Sequence, residues 1–353
     1  MDTGRRTALW TPHPQALSVM YANLETYAVQ RRHAFVGTAG SVVERKNASG
    51  VRFYAHQFYD AAGKQRERYL AGPIGASAAD EKADELRTRI LELKALVPTF
   101  RMLGREGFNL VDPRAYGTIA ALHNHGVFGA GGTLIGSHAY GVLLNRLGVR
   151  VTAYTTDDVD SARREALAFE ELPDRNFLEM LKDSGIDFVE VPGLDRTRPA
   201  TSFKQRGKGV FHVDLLVPSR DESFPVVPVP ELRAHATSLP YLGYLLAESQ
   251  TGMVMAREGC CAVRLPLPER FAIHKMVVSR LRTGRDAKSQ KDLNQASILL
   301  AVLAAYHPGA IESAVAELPR RAMKHLRAAL VLLRPLLVER APRAWEELAA
   351  HAR

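Results

Sequence analysis

The sequence predicts a mixed α/β (α+β) protein: a small β-meander module, a core built on one mixed sheet, and a C-terminal helical bundle. Three observations predict it. Strand-like runs separated by turn residues fill positions 33–73, strand-like and helical runs alternate from Asp112, and everything after Pro268 has helical character punctuated by proline. A chain of 353 residues is long enough for two or three domains, and the changes of pattern place them at 1–100, 101–265 and 266–353.

In the first domain, residues 16–32 are expected to form a helix. His33–Gly37, Ser41–Arg45, Val51–Tyr59 and Arg66–Tyr69 have strand character, with turn composition at Asn47–Gly50 and Ala61–Lys64. Ser77 stands three residues before Asp80, as in a capping box. Leu86, Ile90, Leu93 and Leu96 follow at helical spacing, so 78–98 is expected to be an amphipathic helix. No titratable groups gather here, which suits an accessory module for packing or partner binding.

In the second domain a helix is expected at Pro113–Asn124, stopped by Gly126. The apolar, Gly-rich stretch Val127–Ile135 leads into Gly136–Ser137, and Ala139–Leu147 has the pattern of a helix closed by Gly148. A strand over Val149–Thr155 would deliver Thr156–Asp157–Asp158–Val159–Asp160. A helix near Asn176–Asp183 and strands at Phe188–Val191 and Val210–Val217 follow, the last bounded by Lys208–Gly209 and Pro218. In the third domain, helices are expected at about 269–281, 286–305, 309–317, 320–333 and 335–350. Pro308, Pro319, Pro335 and Pro342 would mark breaks or first turns.

Composition narrows the function classes. The longest apolar run, Ile298–Tyr306, is far short of the roughly 18 to 20 residues of a membrane span, and no apolar core follows the arginines of Met1–Pro14 as in a secretory signal. Neighbouring Cys260 and Cys261 suit neither a disulfide nor a metal clip, so two buried thiols in a reducing cytoplasm are expected. The net charge is +9, and residues 266–353 alone carry 15 Lys/Arg against 8 Asp/Glu. Such a basic face favours RNA, DNA or nucleotide phosphates, and it equally describes a solvated helical surface.

The chemistry centres on Asp158 and Asp160. Residues two apart on extended chain point to one side, so both carboxylates can face one point, where repulsion favours a cation between them. Oxygen ligands of this kind suit Mg²⁺ or Mn²⁺ completed by substrate phosphates. Asp214 stands in Val210–Val217 on the face opposite to Phe211, Val213, Leu215 and Val217. It is read as a third site acid, against an exposed edge-strand Asp or one paired with arginine. His212 lies on its side. Gly136–Ser137, at a strand-to-helix turn, fits close approach of a phosphate to free amides, and also fits a simple N-cap. Gly129, Gly131 and Gly132 satisfy neither phosphate-loop spacing, and His123–Asn124–His125 is too local to be a nuclease motif. Between Lys275 and Lys291 stand Arg280, Arg282, Arg285 and Lys288, with Asp286 the one acid, a supply of cations for a triphosphate.

In order along the chain, these pieces resemble the nucleotidyltransferase-fold superfamily (DNA polymerase beta-like), and within it bacterial stand-alone proteins related to AbiEii-type toxins. The matching residues are Leu134–Tyr140, Thr156–Asp160, Val213–Leu216, His274–Lys275 and Lys291–Ala296, within about 125–300. The resemblance implies a nucleotidyltransferase-fold mixed sheet and transfer of a nucleoside monophosphate from an NTP to an acceptor hydroxyl with release of pyrophosphate. It implies that Gly136 and Ser137 bind triphosphate and that Asp158, Asp160 and Asp214 bind the metals. It also implies catalytic roles for Lys275 and Asp292, and from the basic run Lys275, Arg282 and Lys291 are expected to contact the nucleotide phosphates. The acceptor would be RNA (a tRNA included), a protein side chain or a small molecule. The competing expectation is a non-catalytic nucleotide- or nucleic-acid-binding module, one half of a toxin–antitoxin pair. Twenty residues separate Ser137 from Asp158, about twice the usual interval, and residues 147–155 are expected to absorb the excess.

Overall fold

The computed structural model describes residues 8–151, 158–192, 199–207, 209–282 and 286–352, without the side chains of Asp158 and Asp286. Thr156, Asp157, Lys208 and Arg285 of the sequence motifs lie outside the described residues.

The N-terminal region opens with β1 (Thr11–Pro12) and α1 (Gln15–Val29), then an antiparallel meander of β2 (Ser41–Lys46), β3 (Arg52–Tyr59) and β4 (Gln65–Ala71) in that order. The strand expected at His33–Gly37 does not form. The Asn124 side chain holds Ala34 instead, accepting from its N–H at 2.7 Å and donating to its C=O at 2.9 Å, so a side-chain amide replaces a ladder partner. His123 faces the backbone carbonyls of Ala262 and Arg31, and His125 faces Asp183, so all three residues of that run are bound structurally.

Helix α2 (Ser77–Arg105) is 29 residues long and runs through Pro98, past the expected end. Leu93 before the proline and Phe100 and Leu103 after it are all buried, and that continuous apolar face holds the helix together across the lost hydrogen bond. Ser77 is its first residue, not its cap. Asp80 accepts from Gly75 N at 3.1 Å and from Tyr54 Oη at 2.9 Å, tying the helix start to β3 instead of closing a capping box.

The core begins with α3 (Pro113–Asn124), as the sequence predicts. Asp112 caps it, accepting from Arg114 N at 2.9 Å and Ala115 N at 3.3 Å, a feature worth about 1 kcal/mol. Then come β5 (Thr133–Ile135), α4 (Gly136–Arg146), β6 (Val149–Arg150) and β7 (Asp158–Ala162). Next are α5 (Phe177–Lys182), β8 (Phe188–Val191), β9 (Ser202–Gln205), β10 (His212–Pro218), β11 (Val226–Val229) and β12 (Ala234–Leu239). The short α6 (Leu242–Leu245) leads to an antiparallel hairpin, β13 (Ser249–Met255) and β14 (Cys260–Pro266), which buries both free thiols.

Seven strands form the central sheet, in the order β11-β12-β10-β7-β5, with β8 and β9 joined to it through β10. Strands β12, β10 and β7 are parallel and the other pairings antiparallel, a mixed sheet as expected. β9 borders the first half of β10 (His212–Asp214) and β12 the second (Leu216–Pro218). The chain after α4 does not run straight into this sheet. β6 pairs with the N-terminal β1 instead, and this excursion occupies part of the long interval between Ser137 and Asp158.

The remainder is helical: α7 (Pro268–Leu281), α8 (Asp286–Tyr306), α9 (Ala310–Ala316), α10 (Met323–Arg340) and α11 (Pro342–Ala349). Pro335 does not divide α10. It sits on the exposed side while Leu326, Leu330, Leu333 and Leu337 keep one buried stripe through it. Among the described residues no helix is long and apolar enough to cross a membrane.

Candidate active site

The site is built where β5 turns into α4. Gly136 has φ +69°, a left-handed conformation open to glycine, and a Cβ there would lie 1.9 Å from Asp160 Oδ2. Glycine is therefore required twice, by the backbone and by the carboxylate seated against it. The N-cap residue, Ile135, has no polar side chain, so it gives the first amides of α4 no acceptor. Ile135 is also the register partner of Asp160, which brings the start of α4 onto the acid-bearing strand.

Asp158 and Asp160 lie within β7; of the strand expected before them over Val149–Thr155, Val149–Arg150 forms β6 and residues 152–155 lie outside the described residues. β7 and β10 are parallel, with Asp158 opposite His212 and Asp160 opposite Asp214. Register partners in neighbouring strands share a face, about 4.8 Å apart along the hydrogen-bonding direction. The intervening Val159, Val213 and Leu215 are buried on the other face and anchor both strands to the core. The sheet thus sets Asp160 and Asp214, far apart in sequence, side by side, with Asp158 two positions earlier on the same strand as Asp160.

Asp214 is half-buried and well supported. Ser202 Oγ, from β9, donates to its Oδ1, and His212 Nε2 stands 3.5 Å from its Oδ2. His212 Nδ1 donates to Val210 O at 2.9 Å, which leaves Nε2 directed at the acid. Burial works against the carboxylate charge. The hydrogen bonds from His212 and Ser202, with the charges of His212 and Lys288, outweigh it and hold the Asp214 pKa below its ordinary value. The group is kept ionised.

The helical half contributes a second cluster. Lys275 Nζ lies 2.6 Å from Asp292 Oδ1 and Arg282 Nε 2.8 Å from Asp292 Oδ2, joining α7 to α8. The Asp292 side chain is 4% exposed and that of Lys275 11%. Lys275 also sits 5.4 Å above the Phe271 ring, which stacks at 6.3 Å on Tyr140 of α4, so the cluster leans on the helix that starts at Gly136. Lys275 and Asp292 are therefore brought to each other, while Gly136, Asp160 and Asp214 form the sheet site. Lys291 is half-buried on α8.

Two site residues carry no signal that singles them out in the sequence. Ser202 lies on a short strand with nothing to distinguish it. Lys288, exposed in the first turn of α8, is the helical cation whose charge reaches Asp214, and in the sequence it is one of six basic groups in its run. Among the described residues, no three His, Cys, Asp or Glu side chains are grouped closely enough to hold a metal ion; the side chain of Asp158 lies outside them.

A family model described as Nucleotidyltransferase matches residues 114–319, which covers α3 through α9 and every residue of both clusters. No curated protein and no solved structure matches the chain. The match takes in more than half of the 353 residues, and the chain belongs to this nucleotidyltransferase family.

Proposed function

We propose that the chain transfers a nucleoside monophosphate from an NTP to an acceptor hydroxyl at the cleft between Gly136, Asp160 and Asp214, with Mg²⁺ or Mn²⁺ as cofactor. Membership of the family supports an NTP substrate and nucleotidyl transfer as the general chemistry, and such enzymes typically use a divalent metal. The observation that carries the finer reading is the register of Asp160 with Asp214, which sets two carboxylates side by side against a glycine that leaves them room.

The donor set fits a hard cation. It is all oxygen, Asp214 is held ionised, and each of its oxygens keeps a lone pair beyond its contact with Ser202 or His212. Asp158, Asp160 and Asp214 would hold the metal. A bound divalent ion supplies charge neutralisation and a lowered pKa for the acceptor hydroxyl. The acceptor hydroxyl gives its proton to solvent as its oxygen attacks the α-phosphorus, the bond from that phosphorus to the α–β bridging oxygen breaks, and pyrophosphate leaves.

The chain's own groups supply position and charge. Gly136 and Ser137 at the start of α4 would take phosphate oxygens on their amides, and Lys288 would face the triphosphate from α8. Arg282 and Lys291 flank that position on the helical half. Asp292, neutralised by Lys275 and Arg282, would fix the angle between α7 and α8, so Lys275 and Asp292 act as positioning residues. The resemblance to AbiEii-type proteins is carried by the sequence runs named above, these two residues among them.

Incubation of the purified protein with α-labelled NTPs, Mg²⁺ and total RNA or cell lysate tests the function. Label in a macromolecule together with released pyrophosphate is expected, and both should vanish in Asp214→Asn. NTP binding without pyrophosphate release would favour the non-catalytic binding module instead.

A further inference from the structure

The β2–β4 meander has two unlike faces. One packs on α2, where Tyr54 Oη donates to Asp80 and the Arg87 guanidinium covers the Tyr54 ring at 5.1 Å. The other carries Arg45, Phe53, Ala55, Gln57, Tyr59, Glu67 and Tyr69, by alternation along the three strands and by their register. Tyr69 is 67% exposed and Tyr59 51%, and the Phe53 and Tyr69 rings lie 5.5 Å apart. Two tyrosines this open on one sheet face do not serve the core.

The charges around this face are unevenly matched. Its acids are spent: Glu67 on Arg45, Glu44 on Arg52 and Asp60 on Arg66. Lys46, Lys64 and Arg68 have no ion pair among the described residues; Lys46 and Arg68 project from the opposite face, and the exposed Arg68 guanidinium stands 5.2 Å over the Phe58 ring at the edge of β4. Among the described residues β4 pairs only with β3, and beside it lies a groove of about 380 Å³, shared with the α5–β8 turn, whose charged lining is four acids, Asp60, Glu67, Asp183 and Asp187, and three bases, Arg66, Arg68 and Lys182. Here too the acids are engaged, Asp183 by His125 and Arg175, and Asp187 by Arg206. Among the described residues, the charges of Arg68 and Lys182 remain unmatched by an acid.

We propose that this face and the groove beside it bind single-stranded nucleic acid, with Tyr59 and Tyr69 stacking on bases and Arg68 and Lys182 meeting phosphates. Open aromatic rings beside unmatched cations are the pairing a flexible polyanion with flat bases requires, whereas a duplex hides its base faces. The site lies outside the catalytic cluster. As a holder of the acceptor strand it rests on the transferase reading above; as a binding site it does not.

The purified protein is titrated into a fluorescein-labelled 20-nucleotide single-stranded RNA at several salt concentrations, and anisotropy is followed. Wild type should bind with an affinity that falls steeply with salt. Tyr59→Ala with Tyr69→Ala should weaken binding by about tenfold or more, with the melting temperature kept because both rings are exposed. Arg68→Gln with Lys182→Gln should lower the log–log salt slope by about 1.4. No binding by wild type, unchanged affinity in both double variants, or equal affinity for a duplex of the same sequence would overturn the proposal. Pyrophosphate release, measured separately with NTP and RNA, distinguishes the two readings: binding without release removes transfer to RNA and leaves the platform, and release with no loss in a tyrosine variant that binds RNA weakly removes the platform as holder of the acceptor.

Discussion

Asp160 Oδ2 occupies the space that a side chain at residue 136 would need, 1.9 Å from where a Cβ would stand. The glycine and the acid are therefore one structural unit, joined across β5 and β7. Gly136→Ala must displace the carboxylate and also strain a backbone at φ +69°. A stability loss of about 2 kcal/mol is expected, with transferase activity lost. Adding Asp160→Gly should restore much of the melting temperature without restoring activity. Full activity in Gly136→Ala would show that neither the turn nor the carboxylate position matters to the reaction.

Asp160 and Asp214 stand opposite each other in parallel strands, so two like charges share one sheet face. Asp160→Asn and Asp214→Asn should each reduce activity at least 1,000-fold, about 4 kcal/mol of transition-state stabilisation. The melting temperature of Asp160→Asn should stay at or above that of wild type, because one of two like charges on the sheet face is removed, while Asp214→Asn should lose a little, because the fold stabilises its ionised form. Calorimetry with and without Mg²⁺ checks this. A metal-independent wild type with strongly destabilised variants would mark both acids as structural.

How legible this site was depends on the range of the signal. Asp112, Pro113 and Gly126 are local punctuation, and the helix they bracket formed as expected. Gly136, Asp160 and Asp214 were legible by residue type. A glycine between strand and helix marks a special backbone, and an acid on an apolar strand is costly to bury without a partner. Their meeting was not legible, because the register of β7 with β10 is set by packing between distant segments. The pairing of β6 with β1 was equally hidden, as two-residue strands leave no periodicity. Strands β9 and β11–β14 went unanticipated for a related reason: Pro228, Gly252 and mixed polar neighbours mask their alternation. Lys288 was visible only as one charge in a basic run, and its individuality comes from where α8 begins.

Lys288 is the exposed cation on the helical half whose charge acts on Asp214. If it meets the triphosphate, Lys288→Gln should raise the NTP KM about tenfold while kcat falls less, and Lys288→Arg should restore most of the loss. Steady-state kinetics at varied NTP test it. A variant with unchanged KM and kcat would leave Lys288 as a surface charge.

His274 gives the fold a measurable acid limb. Its imidazole is buried in α7, and burial, with Lys275 next to it and Arg282 nearby, lowers its pKa from 6.5 to about 3 against the opposing pull of Asp292. Between those values the unfolded chain holds a proton that the folded chain refuses, so stability falls as pH drops from 6.5 toward 3. One such group contributes a slope of up to about 1.4 kcal/mol per pH unit. Half-buried His56 and His123 and buried His13, also lowered by burial, act in the same direction and leave a residual slope. His274→Met, similar in volume and without a charge to desolvate, should keep stability near pH 8 and flatten the dependence between pH 6.5 and 5, a window above most carboxylate titrations. Urea denaturation at four pH values in that window measures the difference. Parallel stability curves for wild type and variant would mean that the imidazole finds water or a partner when protonated, and that the α7–α8 joint opens more readily than its buried ion pair suggests.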